Sequence, residues 1–123
     1  MSKILLVEDD QLLGKLYSDL LSAESDLSVS RSIDGEDGYN KIVNDNWDLI
    51  LLDTLLPKMN AVDILNKIKQ SNPQKLNQKI IIITNLDDSK MLTDLKKFGY
   101  EILIKNQLNP DQFVDKIKTF FNH

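Results

Sequence analysis

Four short stretches of this chain end in side chains that could do chemistry together. Glu8-Asp9-Asp10 follows the apolar run Ile4-Leu-Leu-Val7, and Asp53 follows Leu49-Ile-Leu-Leu52, with Pro57 four residues later. Thr84 ends Lys79-Ile-Ile-Ile-Ile-Thr84, and Lys105 follows Ile102-Leu-Ile104. Short apolar runs bounded by polar residues read as strands buried on both faces, as in parallel sheets. Each run then delivers a polar group to a strand's C-terminal end, the edge where open α/β sheets bind ligands. Neighbouring strands there would bring several carboxylates together. Such groups repel, and their pKa values rise unless a cation neutralises them. An all-oxygen acidic site without His or Cys suits Mg²⁺, which prefers oxygen ligands in octahedral geometry and keeps some of its waters. Taken singly, each residue has a plainer reading, as a turn former, a solvated cap, a strand residue or a surface lysine. Their coincidence at four strand ends points to a site.

The segments between these runs must position them. Leu12, Leu13, Leu16, Tyr17, Leu20 and Leu21 recur at helical spacing over Gln11 to Ser22, which predicts a helix with one buried face and Asp10 as N-cap. Leu27-Ser-Val-Ser30 predicts a short strand near a sheet edge. Asp34-Gly-Glu-Asp37 predicts the start of a helix carrying Tyr39, Ile42 and Val43. Val62, Leu65 and Ile68 mark a third helix ending near Ser71-Asn-Pro73. Met91, Leu92, Leu95 and Phe98 mark a fourth, capped by Asp87-Asp88 and closed by Gly99. Asn109-Pro110 opens a fifth, with Phe113, Val114, Ile117, Phe120 and Phe121 as its apolar stripe. Five strands alternating with five helices predict βαβ units with right-handed crossovers, within a single domain over residues 1–123.

Composition narrows the function classes. The chain has no cysteine, which excludes disulfides, Cys–zinc sites and thiol catalysis. Its one histidine is the terminal His123, a poor general base, which excludes Ser-His-Asp schemes. The net charge of −4 and a single arginine, Arg31, do not suit a nucleic-acid binder. No apolar run is long enough for a membrane span, and the N-terminus lacks the features of a signal peptide, so a cytoplasmic location without membrane attachment is expected.

The chain resembles a response-regulator receiver domain of two-component signalling, over essentially Lys3 to Phe121. The resemblance rests on Ile4-Leu-Leu-Val-Glu-Asp-Asp10, on Asp48-Leu-Ile-Leu-Leu-Asp-Thr-Leu-Leu-Pro57, and on Thr84 and Lys105 each after an apolar strand, in that order and spacing. It implies a flavodoxin-like doubly wound parallel sheet of order 2-1-3-4-5. It makes Asp53 the phosphoacceptor, with Asp9, Asp53 and the backbone carbonyl of Leu55 as Mg²⁺ ligands and Glu8 acting through metal-bound water. Lys105 would neutralise phosphoryl charge, and Thr84 would hydrogen-bond a phosphoryl oxygen in the modified state. The implied partners are a sensor histidine kinase or a histidine phosphotransfer protein, and an effector meeting the face of the fourth helix, fifth strand and fifth helix. No effector domain is expected within this chain, which would be either a stand-alone regulator or part of a longer one.

The chain departs from the family pattern at four places. Ile102 stands where the family usually has the Tyr or Phe that moves with the threonine, while Tyr100, two residues earlier, would share its face. Asn106 replaces the usual cis proline, so a trans bond is expected, or a strained cis bond if the site demands it, since a cis bond without proline costs about 3 kcal/mol. Asn85 replaces a small residue and Ala61 a glycine. With Leu55 and Leu86 also flanking the site, a shielded, long-lived acyl phosphate is expected. The departures also suit a receiver fold that signals by binding without phosphorylation. A haloacid-hydrolase phosphatase is disfavoured because Leu55 stands where it needs an acid. Flavodoxin-type FMN binding is disfavoured because Asp9-Asp10 would repel a phosphate.

Overall fold

The structure, a computed structural model, describes residues 1–85 and 89–121. Five strands, β1 (Ser2–Val7), β2 (Leu27–Ser32), β3 (Leu49–Asp53), β4 (Ile80–Thr84) and β5 (Glu101–Ile104), pair in parallel in the order β2-β1-β3-β4-β5. Five helices alternate with them: α1 (Gln11–Ser22), α2 (Gly35–Asn44), α3 (Ala61–Ser71), α4 (Ser89–Lys96) and α5 (Pro110–Lys118). This is the doubly wound arrangement expected from the alternation of runs.

The pleat explains why the central strands read as unbroken apolar runs. Successive side chains point to opposite faces, and both faces are covered. Ile4, Leu6, Leu49, Leu51, Ile81 and Ile83 pack with Tyr17 and Leu21 of α1 and with Phe113, Val114 and Ile117 of α5. Leu5, Val7, Ile50, Leu52, Ile80 and Ile82 pack with Ile42 of α2, with Ile64, Leu65 and Ile68 of α3, and with Leu95 of α4. Burying one such side chain is worth about 1.5–3 kcal/mol, so these central positions anchor β1, β3 and β4 firmly.

Local capping fixes where the helices begin. The Asp10 carboxylate accepts from the Leu13 amide, and Asp34 accepts from the Asp37 amide. Asn109 and Gln112 form a reciprocal box at the start of α5, as Asn60 and Asp63 do for α3. Gly99, at φ 81°, closes the turn after α4. The expected cap Asp87-Asp88, together with Leu86 and His123, lies outside the described residues. One expectation is corrected. Leu12 and Leu16 are not on the buried face of α1, with 82% and 41% of their surface exposed. Tyr17 and Leu21 centre that face, and at about 100° per residue six apolar positions in twelve residues cover more of the helix than one sheet can.

Candidate functional site

The register brings the strand ends together. Val7 lies opposite Leu52, so the next residues, Glu8 and Asp53, emerge side by side at the sheet's C-terminal edge. On the other side of β3, Asp53 pairs with Ile83, and Thr84 pairs with Ile104 just before Lys105. Glu8, Asp9, Asp10, Asp53, Thr54, Leu55, Thr84, Asn85 and Lys105 line one pocket of about 340 Å³. All the site residues expected from the sequence are therefore in one place. Tyr100 is not among them.

The polar groups of the pocket are tied by charge. Lys105 Nζ donates to Glu8 Oε1 at 2.8 Å and to Asp53 Oδ2 at 3.2 Å. The other Glu8 oxygen accepts from the Asp10 amide at 3.2 Å. Glu8 and Asp53 are almost fully buried, while Asp9 faces solvent. Burial, reinforced by the neighbouring Asp53, holds the Glu8 carboxyl above the usual carboxylate range in spite of Lys105. Partial burial and Glu8 raise Asp9 in the same way. Burial alone would lower the Lys105 ammonium, but the Glu8 and Asp53 carboxylates outweigh it and keep Lys105 above its usual range. One ammonium thus serves a cluster of three carboxylates, Glu8, Asp9 and Asp53, whose ligand oxygens lie within 4.8 Å of one another. The negative charge left over and the all-oxygen donor set fit a hard divalent cation. Asp10 is occupied as the cap of α1 and is not part of that set.

The structure adds Thr54 to the residues named from sequence. Its hydroxyl lies 2.8 Å from the Thr84 hydroxyl, and both residues are buried. The sequence signal was a hydroxyl residue inside the otherwise apolar Leu49–Leu56 stretch, directly after Asp53. Tyr100 shares the face of Ile102, as its position predicts. Its hydroxyl, however, donates to the Leu76 carbonyl at 2.7 Å, on the short 3-10 turn Pro73–Asn77 that leads into the N-terminal end of β4. That is the edge of the sheet opposite the pocket. No cis peptide occurs among the described residues, so the Lys105–Asn106 bond is trans, as expected. Leu55 is more than half exposed and stands at the pocket rim.

Comparison with known proteins follows the same lines. Residues 4–118 match the family model described as "Response regulator receiver domain". The response regulator ArlR of Staphylococcus aureus is 37% identical over 119 residues, 97% of this chain and 52% of that protein. The chain spans about half the length of the curated relatives it matches. A CheY-like receiver domain protein from Methanospirillum hungatei superposes with a TM-score of 0.81 at 24% identity, over 99% of this chain and 94% of that one. The BeF3-activated DrrB receiver domain superposes with a TM-score of 0.77 at 25% identity, over 100% and 99% of the two chains.

Proposed function

The chain belongs to the response regulator receiver domain family, and on that premise we propose that it accepts a phosphoryl group on Asp53 from a phosphohistidine, in a Mg²⁺-dependent reaction. The observation that carries this reading is the sharing of Lys105 between Glu8 and Asp53 in a pocket that also holds Asp9 and Thr84. Such a pocket gathers cationic and acidic groups around one nearly buried carboxylate. The donor would be a sensor histidine kinase or a histidine phosphotransfer protein, with the reaction in the cytoplasm.

A carboxylate and a phosphoryl group are both anionic, so the residues must overcome repulsion before the bond forms. Asp53 uses one oxygen as nucleophile. As that oxygen bonds to phosphorus, the phosphorus–nitrogen bond to the donor imidazole breaks, and the imidazole leaves with the electron pair and then takes a proton. Lys105 already points its ammonium at Asp53, and it neutralises oxygen charge on the incoming group. Asp9, Asp53 and the Leu55 carbonyl would hold Mg²⁺, with Glu8 acting through its water. When bound, the ion supplies charge neutralisation and in-line orientation. Thr84 then donates to a phosphoryl oxygen, and its shift moves the end of β4 toward Asp53. That carries the signal to an effector at the face of α4, β5 and α5.

The test is an amide NMR titration with Mg²⁺ and then beryllofluoride, a phosphoryl mimic, on the wild type and Asp53→Asn. Shifts at Thr84, Lys105 and the α4 face in the wild type alone support the reading. No response to either ligand would sink it and leave a receiver fold that signals by binding only.

A further inference from the structure

The hydroxyl of Thr84 has one proton and two neighbours that can take it; placed on the Asn85 carbonyl, at 2.9 Å, it leaves both threonine hydroxyls with an acceptor. The 2.8 Å contact between Thr54 and Thr84 is therefore a donation from Thr54 to Thr84 Oγ1. Thr54 is held firmly on both sides. Its amide donates to Asp53 Oδ1 at 2.8 Å, and its carbonyl accepts from the Ala61 amide, at the first residue of α3, at 3.1 Å. Thr84 is the last residue of β4 and its carbonyl-side neighbour Asn85 is exposed. Of the two, Thr84 is the one that stands at the end of its strand, beside an exposed residue. Among the described residues no ring is placed to follow it, because position 102 is isoleucine and Tyr100 is tied to Leu76 at the other edge of the sheet.

We propose that Thr54 is a positioning residue whose buried hydroxyl latches Thr84 in a withdrawn position, so that breaking the Thr54–Thr84 pair sets the balance between the two states of the switch. The inference deepens the phosphoacceptor reading and rests on it. To reach a phosphoryl oxygen on Asp53, Thr84 must redirect its one proton away from Asn85, and in the proposed switch this shift also draws it away from Thr54. The Thr54 hydroxyl is then left buried without its acceptor, which favours the withdrawn state further. Valine at position 54 keeps the shape, removes the latch, and leaves Thr84 still bonded to Asn85. It raises the population of the shifted state by about five-fold or more, the factor that corresponds to one net neutral hydrogen bond. Apparent affinity for a ligand that needs the shifted state rises by the same factor, because the competent fraction scales it.

The experiment measures exchange at the Thr84 and Asn85 amides by saturation-transfer NMR. The full chain is used, without metal or mimic, as wild type, Thr54→Val and Thr54→Ser. The expected result is a minor state about five-fold more populated in Thr54→Val and restored near the wild-type level in Thr54→Ser. An unchanged or smaller minor population in Thr54→Val overturns the latch, as does an equal rise in Thr54→Ser or no exchange in any variant. A merely structural role for Thr54 would shift the melting temperature without moving this population. Mg²⁺ and beryllofluoride are then added to the same samples. If the wild type binds no mimic, the phosphoacceptor reading fails by itself, while the latch is already judged from the unliganded populations.

Discussion

Replacing Lys105 by methionine should destabilise the metal-free protein in a way that depends on pH. The side chain is 10% exposed and contacts two carboxylates that are 1% and 7% exposed, so its removal leaves Glu8 and Asp53 adjacent with no counter-charge. Breaking a buried pair from one side costs about 3–5 kcal/mol. Protonation sets a ceiling, because the site can instead put a proton on Glu8. At pH 7, holding that proton on a glutamate of ordinary pKa, about 4.3, costs about 3.7 kcal/mol, and less here because Glu8 is already raised. At pH 5 the same ceiling falls to about 1 kcal/mol. Lys105→Met should therefore lose about 2–3 kcal/mol at pH 7 and no more than about 1 kcal/mol at pH 5. Mg²⁺ should narrow the gap at pH 7, since a divalent cation supplies the missing charge. Denaturant unfolding at the two pH values, with and without Mg²⁺, measures this. A deficit that is absent at pH 7, or equal at both pH values, would refute the charge argument.

Four further outcomes are expected. Because the Glu8 carboxyl is raised in the folded state, its contribution to stability is full below the ordinary carboxylate range and is lost as pH rises through the raised range. Metal-free melts should therefore fall with pH in the wild type and flatten in Glu8→Gln. At Gly35 an added Cβ would stand 1.7 Å from the Met59 carbonyl oxygen, so Gly35→Ala must displace the β3–α3 loop. It should cost about 1–3 kcal/mol in denaturant unfolding. Tyr100→Phe loses the bond to Leu76 and should cost about 1 kcal/mol of stability, with beryllofluoride affinity unchanged; a large loss of affinity would show that Tyr100 does serve the pocket. If Asp53 takes up a phosphoryl group as proposed, the acyl phosphate should be long-lived and shorten in Asn85→Ala, whereas a wild-type half-life of seconds in a radiolabel chase would remove the shielding idea.

The sequence alone determined the strands, their order of appearance and the groups at their ends. The buried runs Leu49–Leu52 and Ile80–Ile83 are local signals that two-sided burial forces on any parallel sheet. The caps Asp10, Asp34 and Asn109 were legible for the same reason, since a cap bonds an amide only three residues away. The 3-10 turn Pro73–Asn77 and the Asn60–Asp63 box went unread, because loop residues carry weaker periodicity. Which face Leu12 occupies was also hidden. An apolar residue at helical spacing is a core residue only if a sheet lies opposite it, and α1 turns Leu12 to solvent.

The site was legible as a list of residues but not as a set of bonds. That Lys105 bridges Glu8 and Asp53 depends on side chains 97 and 52 residues apart in sequence. The Thr54–Thr84 pair joins neighbouring strands across 30 residues, and Tyr100 reaches back 24 residues to a carbonyl at the opposite edge. A hydroxyl's partner is set by atoms within about 3 Å of it. Strand register and helix packing decide which atoms those are, and they exist only once the chain has folded.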